Sequence, residues 1–180
     1  VHPTKAGLKI PEIFDAAINK EVKAVWIIGE DVVQTDPNSA HVVKAMNALD
    51  LLVVQEIFMS ETAKHADVVL PGTTFLEKDG TFTNTERRVQ RVNKAAEPLP
   101  GTKPDGVIVT EMMQKLGYKQ NIYNADEVLA EIADVVPFFK GITRERLGKL
   151  GLQWPVKEDG TDTKILHEKE FKLGKGRIKY

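Results

Sequence analysis

Apolar residues gather in three short runs along the first half of the chain: "KAVWIIG" (Lys23–Gly29), "LLVVQE" (Leu51–Glu56) and "DVVLPG" (Asp67–Gly72). Each is nearly continuous rather than alternating, which suits strands of a parallel sheet buried on both faces. Between the runs the apolar spacing lengthens to that of a helix. "IPEIFDAAINKE" sets Ile10, Ile13, Phe14 and Ile18 on one face, and "NSAHVVKAMNALD" does the same with Val42, Val43, Met46 and Leu49. Asn38 or Ser39 stands where an N-cap belongs. Helix, strand, helix, strand, short helix, strand is the order of an α/β domain. Right-handed crossovers then bring the carboxyl ends of the strands to a common edge.

The pattern changes after Pro98. "EPLPGTKPDG" is a Pro/Gly-punctuated crossing. "DGVIVTEMMQKLG" predicts a helix with Val107, Val109, Met112 and Leu116 inward, Asp105 near its N-cap and Gly117 closing it. "NADEVLAEIADVV" predicts another, capped by Asn124, with Val128, Leu129, Ile132 and Val136 buried. "TRERLGKLG" reads as a short third helix, and the charged tail from Pro155 as loop with short strands. The expected fold is a three-layer, Rossmann-like parallel sheet with helices on both faces, over residues 1–117. Residues 118–180 form a helical extension and linker.

Composition narrows the function. The 180 residues are 42% hydrophobic and 28% charged with a net charge of −1, so no broad attraction to nucleic acid or anionic lipid is expected. No apolar run approaches the roughly 20 residues of a membrane span, and no direct membrane contact is expected. There is no cysteine, hence no disulfide, no thiolate-held iron–sulfur cluster and no cysteine nucleophile in these residues. The four histidines are scattered without metal-ligand spacing. The first residues lack an initiator Met and a signal-peptide core, so the chain is expected to be cut from a longer one. The compartment stays open, with the cytoplasm favoured.

The candidate chemistry lies at the strand ends. Glu30, Asp31, Gln34, Thr35 and Asp36 follow the first strand. Gln55, Glu56, Ser60 and Thr62 follow the second, and Gly72, Thr73 and Thr74 the third. Ligands of open α/β sheets bind at this edge, although "TDPN" and "SETA" are also ordinary turn and cap chemistry. No GxGxxG or GxxxxGK[ST] loop is present, which argues against an ordinary dinucleotide dehydrogenase or a P-loop NTPase. A nucleotide can still be held by ribose and base. One carboxylate accepts from both ribose hydroxyls, and another pairs with the N1–H and 2-amino group of guanine. Asp31 or Glu56 fits the first role, and Asp105 the second.

Three segments together, "GEDVVQTDPN", "LLVVQEIFMSETAKHADVVLPGTTFLEKDGTFTNTERRVQRV" and "EPLPGTKPDG", resemble the large subunits of molybdopterin oxidoreductases, most closely formate dehydrogenase catalytic subunits. "FFKGITRERLGKLGLQWPV" resembles the segment before the last domain of those enzymes. The resemblance implies a molybdopterin guanine dinucleotide cofactor carrying molybdenum or tungsten. It also implies an iron–sulfur cluster and a metal-ligating Cys or selenocysteine in regions outside this chain, and a closing β-barrel. The partners it implies are those other domains and electron-transfer subunits. The chain then supplies one cofactor-binding domain, unable to oxidise formate alone. A nitrate reductase or other molybdopterin oxidoreductase, or a non-catalytic subunit of the same fold in a respiratory complex, is the alternative.

By the same resemblance, Asp31 and Thr35 contact the cofactor after the first strand, and Gln55 and Glu56 approach the nucleotide ribose. Thr73 and Thr74 lie along the same edge, Lys78 of "EKDG" is a cofactor contact, and Asp105 faces the guanine. Two positions depart from the family pattern: Gly106 replaces an aromatic residue and Val32 a proline. Arg87 and Arg88 admit two readings. They contact cofactor phosphate or the iron–sulfur region, or they clamp the alternating "TFTNTERRVQRV" strands by pairing with Glu77 or Glu86.

Overall fold

The three apolar runs pair side by side in the computed structural model, which describes residues 4–157, 159–168 and 171. β1 (Ala24–Ile28), β2 (Leu51–Glu56) and β3 (Val68–Pro71) form a parallel sheet in that order. The register aligns Ile27 with Val54 and Val54 with Val69. Side chains alternate across the sheet, so Leu52 and Val54 share one face with Val25, Ile27 and Val69.

Helices cover that face. α1 (Ile10–Ile18) starts with Pro11 in its first turn, and the Glu12 carboxylate accepts the Lys9 N–H at 2.8 Å. A single turn, α2 (Val32–Thr35), leads into α3 (Ser39–Ala48), which Asn38 caps by accepting the His41 N–H. Phe14, Ala17, Val32, Val42, Ala45 and Met46 pack with Leu52, Val54 and Ala63 into one core. Burial of Leu52 and Val54 contributes roughly 1.5–3 kcal/mol each. The opposite face carries Trp26, Val53 and Gln55, and α4 (Asp105–Lys115) sends Asp105 to Gln55 there.

α4 departs from the expected burial. Ile108 and Thr110 are its buried residues, and Leu116 is 71% exposed at its C-terminus. Apolar residues at Val107, Ile108, Val109, Met112 and Met113 surround much of this helix, so spacing alone does not single out its inner face. Ile10 of α1 is likewise exposed.

The chain divides into two compact units, and not at residue 117. One takes the chain up to Glu77 together with Ala96–Asn121; the other takes Lys78–Ala95 and the described residues from Ile122 onward. The second unit is built on a hairpin, β4 (Gly80–Thr83) and β5 (Arg88–Val92), with Thr83 opposite Val89. α5 (Ala125–Val135) is capped by Asn124, and α6 (Arg144–Leu147) by Thr143. β6 (Leu152–Gln153) adds to β5, pairing Arg88 with Gln153. That pairing, 65 residues away along the chain, draws the hairpin into the second unit. Val89, Leu129, Ile142 and Leu147 form its core.

Among the described residues, the two arginines clamp main-chain carbonyls and a side-chain amide rather than carboxylates. Arg87 donates to the carbonyls of Trp154, Thr163 and Lys164 and lies 5.7 Å over the Trp154 ring. Arg88 donates to Gln153 Oε1 at 2.9 Å. An irregular segment leaves main-chain carbonyls that need donors, and a guanidinium supplies several in one plane. No strand follows Gln153 among the described residues; Glu158 and most of the tail beyond Glu168 lie outside them.

Candidate functional site

The carboxyl edge of the sheet holds two different polar clusters. The first is bound up in internal hydrogen bonds. Asp31, just beyond β1, receives four hydrogen bonds: Thr62 N–H at 3.0 Å and Thr62 O–H at 2.7 Å on Oδ1, Gln34 Nε2 at 2.6 Å and Glu61 N–H at 3.3 Å on Oδ2. Thr62 is fully buried, and its Oγ1 also accepts the Val33 N–H. A carboxylate offers about four acceptor positions, so Asp31 is saturated within the protein. Burial opposes its ionisation, but the hydrogen bonds from Thr62, Gln34 and Glu61 outweigh it and lower the pKa below the ordinary value. The β1–α2 loop is thereby tied to the loop after β2.

Two other sequence candidates are committed in the same way. Thr35 Oγ1 donates to Glu30 at 2.6 Å. Thr74 gives both its N–H and its O–H to Glu77 Oε2, at 2.8 and 2.9 Å, while Glu77 Oε1 accepts the Leu99 N–H. This staples the loop after β3 to the 96–99 crossing.

The second cluster is built differently. Gln55, the last residue but one of β2, is 1% exposed, and its Nε2 donates to Asp105 Oδ1 at 2.8 Å. Asp105 arrives there because Lys103 docks on β3: its N–H donates to the Pro71 carbonyl, and Lys103 bridges Gly72 in parallel. Pro104 then opens α4. Gln55 Oε1 is buried and accepts no hydrogen bond among the described residues. Gly72 lies directly against Asp105, since a Cβ there would stand 3.2 Å from Asp105 Oδ1 and 3.7 Å from the Ile57 side chain. Thr73 is buried beside it in sequence, and Glu56 is half-buried with Oε1 taken by the Ile57 N–H.

The structure thus brings Gln55 and Asp105 into contact across 50 residues, with Gly72 against Asp105. It ties Asp31, Thr35 and Thr74 into internal hydrogen bonds. Lys78 belongs to the other unit, where it precedes β4. Ile57 was missed by the sequence reading. Its position directly after an apolar strand ending in Gln-Glu is the only signal that points to it.

An open parallel sheet with hydrogen-bonding side chains at the carboxyl edge is the arrangement of nucleotide-binding α/β domains. A family model described as molybdopterin oxidoreductase matches residues 2–115, and the chain belongs to that family. It is 46% identical over 177 residues to the F420-dependent formate dehydrogenase subunit alpha of Methanocaldococcus jannaschii, covering 97% of this chain and 26% of the relative. The F420-dependent formate dehydrogenase 2 subunit alpha of Methanococcus maripaludis is equally similar, at 46% over 177 residues with the same coverage. Among solved structures, the acetylene hydratase of Pelobacter acetylenicus matches with a TM-score of 0.55 and 26% identity, over 59% of this chain and 15% of the hydratase. The chain therefore spans about a quarter of the length of the curated relatives. No helix among the described residues is long and apolar enough to cross a membrane.

Proposed function

We propose that this chain is the part of a formate dehydrogenase catalytic subunit that holds the guanine nucleotide end of a molybdopterin cofactor. The observation that carries the reading is the buried Gln55–Asp105 pair at the carboxyl edge of the sheet, in a chain 46% identical to formate dehydrogenase alpha subunits. The residues present fit such a nucleotide. The Asp105 carboxylate and the buried Gln55 Oε1 are acceptors, the complement of a base edge rich in N–H donors. Gly72, with no side chain, lets the main chain pass close to Asp105, where a Cβ would stand 3.2 Å from Oδ1.

When bound, the molybdenum- or tungsten-bearing cofactor supplies the two-electron chemistry; the protein's part is binding and orientation. Gln55 and Asp105 hold the base, and the half-buried Glu56 lies next along β2 toward the ribose. Asp31, Thr62, Thr74 and Glu77 hold the surrounding loops in place. The hydrating activity named for the acetylene hydratase shows that a similar fold serves more than one reaction. The 46% identity to formate dehydrogenase alpha subunits supports formate as the substrate of the parent protein. Electron-transfer subunits, iron–sulfur clusters in other domains and a cytoplasmic location complete the proposal.

GDP titrated into the isotope-labelled chain is expected to shift the Gln55, Gly72, Thr73 and Asp105 resonances. Asp105→Ala is expected to remove those shifts. A wild-type spectrum unmoved by GDP overturns the binding assignment. The purified 180-residue chain, which has no cysteine to ligate a metal, is expected to oxidise no formate, whereas a longer polypeptide carrying it is expected to do so. A longer polypeptide, loaded with cofactor and inert toward formate, overturns the substrate assignment.

A further inference from the structure

We propose that the free edge of β1 is an interaction surface that takes up one further parallel strand, supplied by the part of the parent polypeptide that precedes residue 1. The inference rests on the reading that the chain belongs to a longer catalytic subunit, and it is independent of the nucleotide site.

β1 is hydrogen-bonded on one side only. The Lys23 carbonyl accepts the Leu51 N–H, and the Gly29 N–H donates to the Gln55 carbonyl. Main-chain groups alternate in direction along a strand, so Val25 and Ile27 also face β2, while Ala24, Trp26 and Ile28 turn their N–H and C=O groups outward. β1 stands first in the sheet order, and no described residue pairs with those outward groups. The opposite edge is covered. Beyond β3, the Pro71 carbonyl accepts the Lys103 N–H, and Lys103 bridges Gly72. Folded proteins guard open edges with charge, proline or a bulge. β1 reads "AVWII" in unbroken register with β2 and has none of these. Its composition is that of an inner strand of a parallel sheet.

The helices fix what belongs there and in which direction. Phe14 and Ala17 of α1 share one core with Val42, Ala45 and Met46 of α3, so both helices cover the same face. The connection from β1 through α3 to β2 crosses the sheet in one direction. Such crossovers are right-handed, so one on the same face that passes through α1 and ends at β1 advances in that direction too. It starts from a strand parallel to β1 on the free edge. Leu8 and Ile10, at the start of α1, are exposed although apolar, as is Ile28 where β1 ends. A turn over residues 19–23 reverses the chain between the two elements, which sets these three residues at one end of the sheet. The chain spans about a quarter of the length of its curated relatives, so the polypeptide to supply a strand is at hand.

The test is amide hydrogen exchange, read at single residues by fragmentation mass spectrometry, in the 180-residue chain and in a longer polypeptide that carries the preceding part. In the chain alone, the Ala24, Trp26 and Ile28 amides are expected to exchange fast, and those of Val25, Ile27 and Gly29 slowly. In the longer polypeptide the first three are expected to slow by about a hundredfold. Fast exchange there overturns the proposal. Protection already present in the chain alone overturns it too: with a dimer in sedimentation the occupant is a second copy, and in a monomer it is another segment of the chain. Ala24→Pro gives a second measurement, since it removes an outward N–H and no bond to β2. It is expected to leave the melting temperature of the chain near that of the wild type and to lower that of the longer polypeptide by several degrees. Equal shifts in the two overturn the pairing. A longer polypeptide that oxidises formate while the Ala24, Trp26 and Ile28 amides exchange fast overturns this inference alone and leaves the functional reading standing. Slowed amides without GDP binding support the strand and overturn only the nucleotide site.

Discussion

Asp31 shows how one residue type serves two purposes at a strand end. An acidic residue after β1 reads equally as a ribose acceptor or as a loop brace, and the sequence offers no means to choose. The brace is favoured by Thr62, 31 residues on, whose N–H and O–H both reach Asp31. Asp31→Asn replaces one acceptor oxygen by an NH2 that faces donors, and is expected to destabilise the fold by about 1–3 kcal/mol. The Glu61 and Thr62 amides should exchange with solvent faster in the variant. GDP-induced shifts at Gln55 and Asp105 should persist, because the brace is not the binding pair. Their disappearance in a folded Asp31→Asn variant would return Asp31 to the list of direct contacts. Gln55 was legible as a polar end to an apolar strand, and Asp105 as a carboxylate at a turn before a helix. Their mutual hydrogen bond was not legible, because nothing local to either position marks a partner 50 residues away.

At the scale of elements, the parallel strands and the flanking helices were legible, since hydrophobic period is a local property. Asn38 and Asn124 both cap the helices their positions mark. The second unit was not seen as a unit, because its strand partner β6 is two residues long and carries no pattern of its own. Gly151 makes that pairing possible. It has φ +75°, and a Cβ there would lie 2.3 Å from the Val89 carbonyl oxygen, on the strand that β6 joins. Gly117 also has positive φ, at +90°, but a Cβ there meets nothing within 4 Å. Gly117→Ala therefore bears only the left-handed backbone penalty, about 1–2 kcal/mol. Gly151→Ala adds a clash with main chain that cannot rotate away, and is expected to cost more and to loosen Arg88 from Gln153. Urea denaturation of the two variants measures the difference; equal midpoints would mean that β6 is not held as described.

At the scale of the whole molecule, each unit carries one of the two tryptophans, Trp26 in the first and Trp154 in the second. Each also carries carboxylates whose pKa is lowered in the folded state. Asp31 is one such group in the first unit, where burial opposes its ionisation and hydrogen bonds from Thr62, Gln34 and Glu61 override that effect. In the second unit, the Glu145 pKa is lowered by its own main-chain N–H and the Thr143 hydroxyl, and that of Asp159 by the Thr161 N–H and hydroxyl. A carboxylate with a lowered folded pKa binds fewer protons folded than unfolded, so folding gains stability from it above the unfolded value. That gain is lost as pH falls from the ordinary carboxylate range through the lowered folded pKa. Both units should accordingly be stable from neutral pH to about pH 5 and weaken below it. Removing Asp31 by Asn substitution takes away its share in the first unit and leaves the carboxylates of the second unit unchanged. Trp154→Phe leaves Trp26 to report the first unit, and Trp26→Phe leaves Trp154 to report the second. In the Asp31→Asn background, the acid sensitivity of the Trp26 melting signal is expected to flatten, while that of Trp154 keeps its slope. Equal flattening at both tryptophans would show that the units unfold as one cooperative body, and an unchanged Trp26 slope would remove Asp31 from the groups that set acid stability.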